Sequence, residues 1–145
     1  SIGQSMNCIV HNKKINKIKI NEVKRLFSYS GKTIFFKSEN EIDMATAISG
    51  SGPGFFFNLI DAMENAATNL GFKKEEAKIS VSQTFRGSIN LLINKNMSAK
   101  DLVKIVATKG GTTEAGLKVM NNSKVHTTFI KLVNASYIKA KNQGK

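Results

Sequence analysis

Apolar positions along this chain follow two different rhythms. Over the first 38 residues, "SMNCIV" and "KTIFF" are short apolar runs of strand length. Between them "KINEVKRLFSYSG" carries helical spacing that ends at Gly31. Strand, helix, strand is the grammar of a parallel α/β sheet. Two strands and one helix cannot cover both faces of such a sheet, so this stretch reads as the closing part of something larger.

From about Glu39 onward the spacing is helical and the only proline is Pro53. Phe56, Leu59, Ile60, Met63, Ala67 and Leu70 form one apolar stripe, closed by Gly71 as a helix stop. Ala77, Val81, Phe85, Ser88, Ile89 and Leu92 form a second. Ser98 with Asp101 three residues later predicts a capped start for a third helix, running through Val106. A fourth helix starts at Thr112 or Thr113, and Val125, Phe129, Leu132, Val133, Tyr137 and Ala140 mark a fifth. The expectation is a mainly α protein with a strand–helix–strand segment over 1–38 and a helical domain over 39–145. Such stripes suit a core or a subunit interface.

Charge changes this picture less than its size suggests. The net charge is +12, yet of 22 basic residues only Arg25 and Arg86 are arginine. Nucleic-acid surfaces recruit arginine for bidentate contacts and aromatic rings for stacking. Here lysine is spread along a chain also rich in Asn and Ile, a trio that A/T-rich coding explains. In the one cluster, "KKINKIKINEVKR", Ile15, Ile18, Ile20 and Val23 alternate with the charges, as in a solvated face over a core. A basic nucleic-acid-binding protein is therefore the least favoured reading. No apolar run reaches the roughly 18 residues of a membrane span, and the start lacks a signal-peptide pattern. The single cysteine, Cys8, fits a reducing compartment, so a soluble cytoplasmic protein is expected.

Two apparent nucleotide motifs fail. "GKT" at Gly31–Thr33 resembles the end of a phosphate loop, but the required earlier glycine is Leu26, and the stretch runs from helix into strand. In "SGSGPGF", Gly50 and Gly52 are followed by Phe55 where a dinucleotide motif needs glycine, and Pro53 suits the first turn of a helix. Three Asp, seven Glu and two His give no metal-ligand spacing. His11, His126 and Cys8 read as structural, and lone Ser or Thr residues lack a partner base.

What remains is two glycine-broken helix starts about 60 residues apart, "AISGSGPG" and "ATKGGTTEAG". A helix N-terminus offers unpaired N–H groups and partial positive charge, and glycine lets a small anion approach. Together the two segments resemble the pyrroline-5-carboxylate reductase family. Asp43, Thr46, Ala47 and Ser49 to Pro53 match its D-x-x-T-A-x-S-G-S-G-P segment. Thr108 to Thr113 match its S-P-G-G-T-T loop, with Leu117 and Met120 continuing the pattern. "IGQSMNCIV" and "LFSYSGKTIFF" are similar to segments that close the family's cofactor domain, so the resemblance spans essentially the whole chain.

The resemblance implies a helical dimerisation domain of the 6-phosphogluconate-dehydrogenase C-terminal type, preceded by the end of a Rossmann domain. It implies reduction of 1-pyrroline-5-carboxylate to proline with NADPH or NADH, in a homodimer or higher oligomer. Thr108, Gly110, Gly111, Thr112 and Thr113 would hold the substrate carboxylate, and Thr113 would hydrogen-bond near the ring nitrogen. Thr46, Ser49, Gly50, Ser51, Gly52 and Pro53 would lie beside the nicotinamide. No nucleophile or metal is needed for such a step. The chain departs from the pattern at Thr108, Lys109, Asn96 and Lys104, and it has no glycine-rich cofactor motif. It is therefore expected to be inactive alone, as a trimmed, cleaved or split-gene product. A non-catalytic helical dimerisation module is the alternative.

Overall fold

The computed structural model describes residues 3–143. They divide into two units, one built from the segment through Pro53 and from Ile130 onward, the other from Gly54–Phe129.

In the first unit, β1 (Ser5–Val10) pairs in parallel with β2 (Gly31–Phe36), in the register Ser5 to Gly31 and Val10 to Phe36. The crossover is α1 (Lys17–Ser28), whose first turn is capped by Asn16, its side-chain oxygen accepting from the Lys19 N–H at 3.0 Å. Gly31 is not the stop of that helix, which ends at Ser28. It opens β2 with φ +154°, where a Cβ would collide with the backbone of Ser5. Asn7 of β1 donates to the Phe27 carbonyl and to Ser30 Oγ, fastening the end of α1 to the sheet.

Next comes α2 (Glu39–Ala45), started by Ser38 with Glu41 at the third helical position. The Glu41 carboxylate accepts the N–H groups of Lys37 and Ser38 at 2.7 and 2.9 Å. A wider π turn over Thr46–Gly50 follows, with the Ser51 N–H reaching back five residues to the Thr46 carbonyl at 2.9 Å. Ala47 in this turn is buried. α3 (Gly52–Asn69) begins here, and α7 (Val125–Gln143) ends here. Tyr137 on α7 donates its hydroxyl to Asn40 Oδ1 of α2 at 2.8 Å.

The second unit holds most of α3, then α4 (Lys74–Asn94), α5 (Ala99–Val106), α6 (Thr112–Asn122) and the start of α7. As expected, α3 closes at Gly71, which adopts φ +105° while the Phe72 N–H bonds the Ala67 carbonyl. Ser98 caps α5, accepting from the Asp101 N–H and donating to its carboxylate at 2.6 Å.

The apolar stripes are where expected, but they are not a closed core. Among the described residues of this unit only Ala77 and Val81 are buried hydrophobics, and no large side chain is fully buried. Phe57, Leu70, Ile79 and Ile93 are 69, 84, 66 and 73% exposed.

Candidate functional site

Around Gly110 and Gly111 the loop leading into α6 is held by hydrogen bonds within itself and to the first turn of the helix. The Thr108 carbonyl accepts the Gly111 N–H at 2.9 Å, closing a tight turn. Gly110, inside that turn, takes φ +75°, a left-handed conformation open to glycine. Its N–H donates to the Glu114 carboxylate at 2.6 Å. The Ala115 N–H then bonds the Gly111 carbonyl at 3.2 Å, the first helical bond of α6. Gly111 has an ordinary φ of −82°, and its requirement is space: a Cβ there would stand 2.6 Å from Thr108 Oγ1 and 3.0 Å from the Thr108 carbonyl.

This arrangement sorts the sequence-predicted residues. The N–H groups of Gly110 and Gly111 are engaged within the loop. Those of Thr112, Thr113 and Glu114 find no acceptor among the described residues, as expected for a first helical turn. The hydroxyls of Thr108, Thr112 and Thr113 likewise make no hydrogen bond among the described residues. Thr113 also edges an apolar recess of about 320 Å³ between α4, α5 and α6, walled by Ile89, Leu92, Leu102, Val103, Val106 and Leu117. A cluster of hydrogen-bond donors therefore borders an apolar wall.

The lysines beside the loop are exposed, and the Glu114 side chain is half-buried. Lys118 Nζ lies 3.6 Å from the Glu114 carboxylate. Lys104, one of the departures from the family pattern, pairs with Asp101 at 2.7 Å. That ammonium, followed by the Ser98 hydroxyl, holds the Asp101 carboxyl below its ordinary range.

The other turn is differently built. Thr46 Oγ1 donates to the Ile42 carbonyl at 2.9 Å, and Ser49 Oγ to the Ala45 carbonyl at 2.8 Å, so both hydroxyls lie back along their own helix. Cys8 Sγ stands 3.7 Å from Ser49 Oγ. Gly50 faces the Thr46 methyl, where a Cβ would come within 3.4 Å. Gly52 is buried, and Pro53 sits in the first turn of α3, where its missing N–H leaves no helical bond unmade. Ser51 keeps a side-chain hydroxyl with no partner among the described residues. His11 stacks edge-on against Phe35 with ring centroids 6.3 Å apart. No cluster of acidic, His or Cys side chains able to hold a metal occurs among the described residues.

Glu114 is the loop residue that the sequence reading passed over. Its signal was present, since Gly111 and Glu114 have the spacing of a helix cap and an acid at the third helical position.

Comparison with known proteins agrees with this layout. The family model described as pyrroline-5-carboxylate reductase dimerisation matches residues 39–143. Pyrroline-5-carboxylate reductase 2 of Bacillus subtilis is 39% identical over 92 residues, 63% of this chain and 33% of that protein. The solved pyrroline-5-carboxylate reductase of Coxiella burnetii superposes with a TM-score of 0.93 at 30% identity, over 97% of this chain and 52% of that one. The Plasmodium falciparum enzyme, solved with NADP bound, gives a TM-score of 0.91 at 27% identity, over 99% and 55%. The chain thus spans about half the length of the solved relatives it matches. With the glycine–threonine loop, the helical order and the matched segment in agreement, the chain belongs to the pyrroline-5-carboxylate reductase family, in the part that carries dimerisation.

Proposed function

We propose that this chain is the C-terminal part of a pyrroline-5-carboxylate reductase, which reduces 1-pyrroline-5-carboxylate to proline with NADPH or NADH. Residues 39–145 supply the subunit interface and the carboxylate loop, and residues 1–38 the end of the cofactor domain. The observation that carries the reading is the set of unpaired Thr112, Thr113 and Glu114 N–H groups beside an apolar recess. The substrate carboxylate lies on these donors with the Thr108 and Thr112 hydroxyls. The ring methylenes lie against the recess, and the Thr113 hydroxyl hydrogen-bonds near the ring nitrogen. Holding the ring by its carboxylate fixes which face of the imine carbon is open to hydride.

The 145 residues contain no G-x-G-x-x-G, so they do not form a cradle for a dinucleotide pyrophosphate. The contribution assigned to them is the wall beside the nicotinamide, from Thr46, Ser49, Gly50, Ser51, Gly52 and Pro53. The polypeptide alone is therefore expected to show no NADPH-dependent turnover. The exposed stripes are covered by a second copy, giving a homodimer. No helix among the described residues is long and apolar enough to cross a membrane. A cytoplasmic location, with only weak and salt-sensitive attraction to nucleic acid, completes the reading.

The test is titration of the labelled chain with L-proline. Loop signals should move, and Thr113→Val should weaken binding roughly 10- to 150-fold, the loss of about 1.5–3 kcal/mol for a hydrogen bond to a charged group. Lys109→Pro should leave the response in place. Loop shifts that survive Thr113→Val but vanish with Lys109→Pro would mean a generic cation site and sink the reading.

A further inference from the structure

We propose that Glu114 is a positioning residue for the carboxylate loop: by taking up the Gly110 N–H it presets the loop and leaves the Thr112 and Thr113 N–H groups to the ligand. The inference rests on the carboxylate-site reading above. Its basis is the 2.6 Å bond from the Gly110 N–H to Glu114 Oε2, a short charge-assisted contact.

This bond carries helix capping one residue further back, as the Glu41 carboxylate also does at Lys37, but here without a bond to the cap residue. In a capping box the acid at the third helical position returns to the N–H of the cap residue, here Gly111. The Gly111 N–H is instead taken by the Thr108 carbonyl, and Glu114 reaches one residue further back. It therefore fastens the loop itself. The loop needs fastening, because two successive glycines carry the greatest backbone freedom of any pair. Gly110 must be held at φ +75° for the Thr108 to Gly111 turn to close.

The donors then divide by function. Gly110 and Gly111 hold the loop together, and the N–H groups of Thr112 and Thr113 have no acceptor among the described residues. A carboxylate in the first turn would ordinarily repel an anionic ligand. Here its charge is met on one oxygen by the Gly110 N–H and approached on the other by Lys118 Nζ at 3.6 Å. The acid organises the anion site while its own charge is engaged.

The experiment uses the full chain, ¹⁵N-labelled, with L-proline as the probe. In wild type the Gly110 amide signal should lie downfield, as a short charge-assisted bond places it. In Glu114→Gln it should move upfield. L-proline should bind about 10-fold more weakly to Glu114→Gln, and more weakly again to Glu114→Ala, as expected for lost charge-assisted bonding. The helical carbon shifts of α6 should stay as in wild type. A purely helix-stabilising role predicts the reverse, with lower α6 helicity and unchanged affinity in the folded protein, and would overturn the proposal. So would a Gly110 amide signal left unmoved by Glu114→Gln. If wild type shows no loop response to L-proline, the carboxylate-site reading itself fails, and a Gly110 signal moved by Glu114→Gln would then mark the bond as architectural only.

Discussion

The two glycines of the loop should fail for different reasons when replaced. At Gly110 the obstacle is conformation: nothing lies within 4 Å of a built Cβ, but φ is +75°. An L-residue in the left-handed region costs about 1–2 kcal/mol, and the stiffer unfolded chain returns about 0.4–1 kcal/mol. Gly110→Ala should therefore destabilise by around 1 kcal/mol, and Gly110→Asn by clearly less, since Asn tolerates that region. At Gly111 the backbone is ordinary and the obstacle is Thr108, with Oγ1 at 2.6 Å and the carbonyl at 3.0 Å from a Cβ. The hydroxyl can rotate away at about 0.5–1.5 kcal/mol. The carbonyl cannot retreat without stretching the 2.9 Å bond to the Gly111 N–H. Gly111→Ala should cost about 1–3 kcal/mol, and Thr108→Ala should recover about 1 kcal/mol of that by removing the hydroxyl. Urea midpoints at one fixed chain concentration read these values, because the stability of an oligomer depends on concentration. The reasoning is refuted if Gly110→Asn is as damaging as Gly110→Ala. It is equally refuted if Thr108→Ala and Gly111→Ala combine additively to within about 0.3–0.5 kcal/mol.

Further outcomes follow from the same geometry. Ser98→Ala removes the acceptor for the Asp101 N–H and should destabilise by about 1 kcal/mol, measured by thermal unfolding. Tyr137→Phe loses the bond to Asn40 and should cost near the low end of about 0.5–1.5 kcal/mol in the same assay. Glu41 is held below its ordinary 4.5 by the Lys37 N–H and the Ser38 groups, and Asp101 below 3.8 by Lys104 and Ser98. Depressed carboxyls contribute stability above their unfolded values and lose it as pH falls through the folded ones. Acid unfolding of Glu41→Gln and Asp101→Asn should therefore be shallower than wild type below pH 4.5. Sedimentation should show a dimer at micromolar concentration, and a stable monomer would contradict the interface reading.

What was legible in the sequence was what is decided locally. Ser98 with Asp101, Gly71 after α3, and the start of α6 at Thr112 depend on neighbours within a few residues, and each was readable. Gly31 was misread as a helix stop because its reason is distant: the backbone of Ser5 passes too close for any Cβ. The apolar stripes were legible as stripes, but spacing cannot say what covers them, and only Ala77 and Val81 are buried in the helical unit. In the loop, residue types pointed to an anion site. The pairing of Gly110 with Glu114 depends on a left-handed residue that no periodicity announces.

Those uncovered stripes also set the order of the folding reaction. Most contacts in the chain are close in sequence, as helices and a strand pair joined by one crossover are. Such contacts form quickly and independently of concentration. Covering Phe57, Ile79 and Ile93 with a second copy is an encounter between molecules, so its rate rises with concentration. Until that encounter, the same surfaces are open to unproductive association. Abundance thereby becomes a determinant of the native state: dilution leaves chains with formed helices and exposed faces, and crowding many nascent copies together sets correct pairing against aggregation.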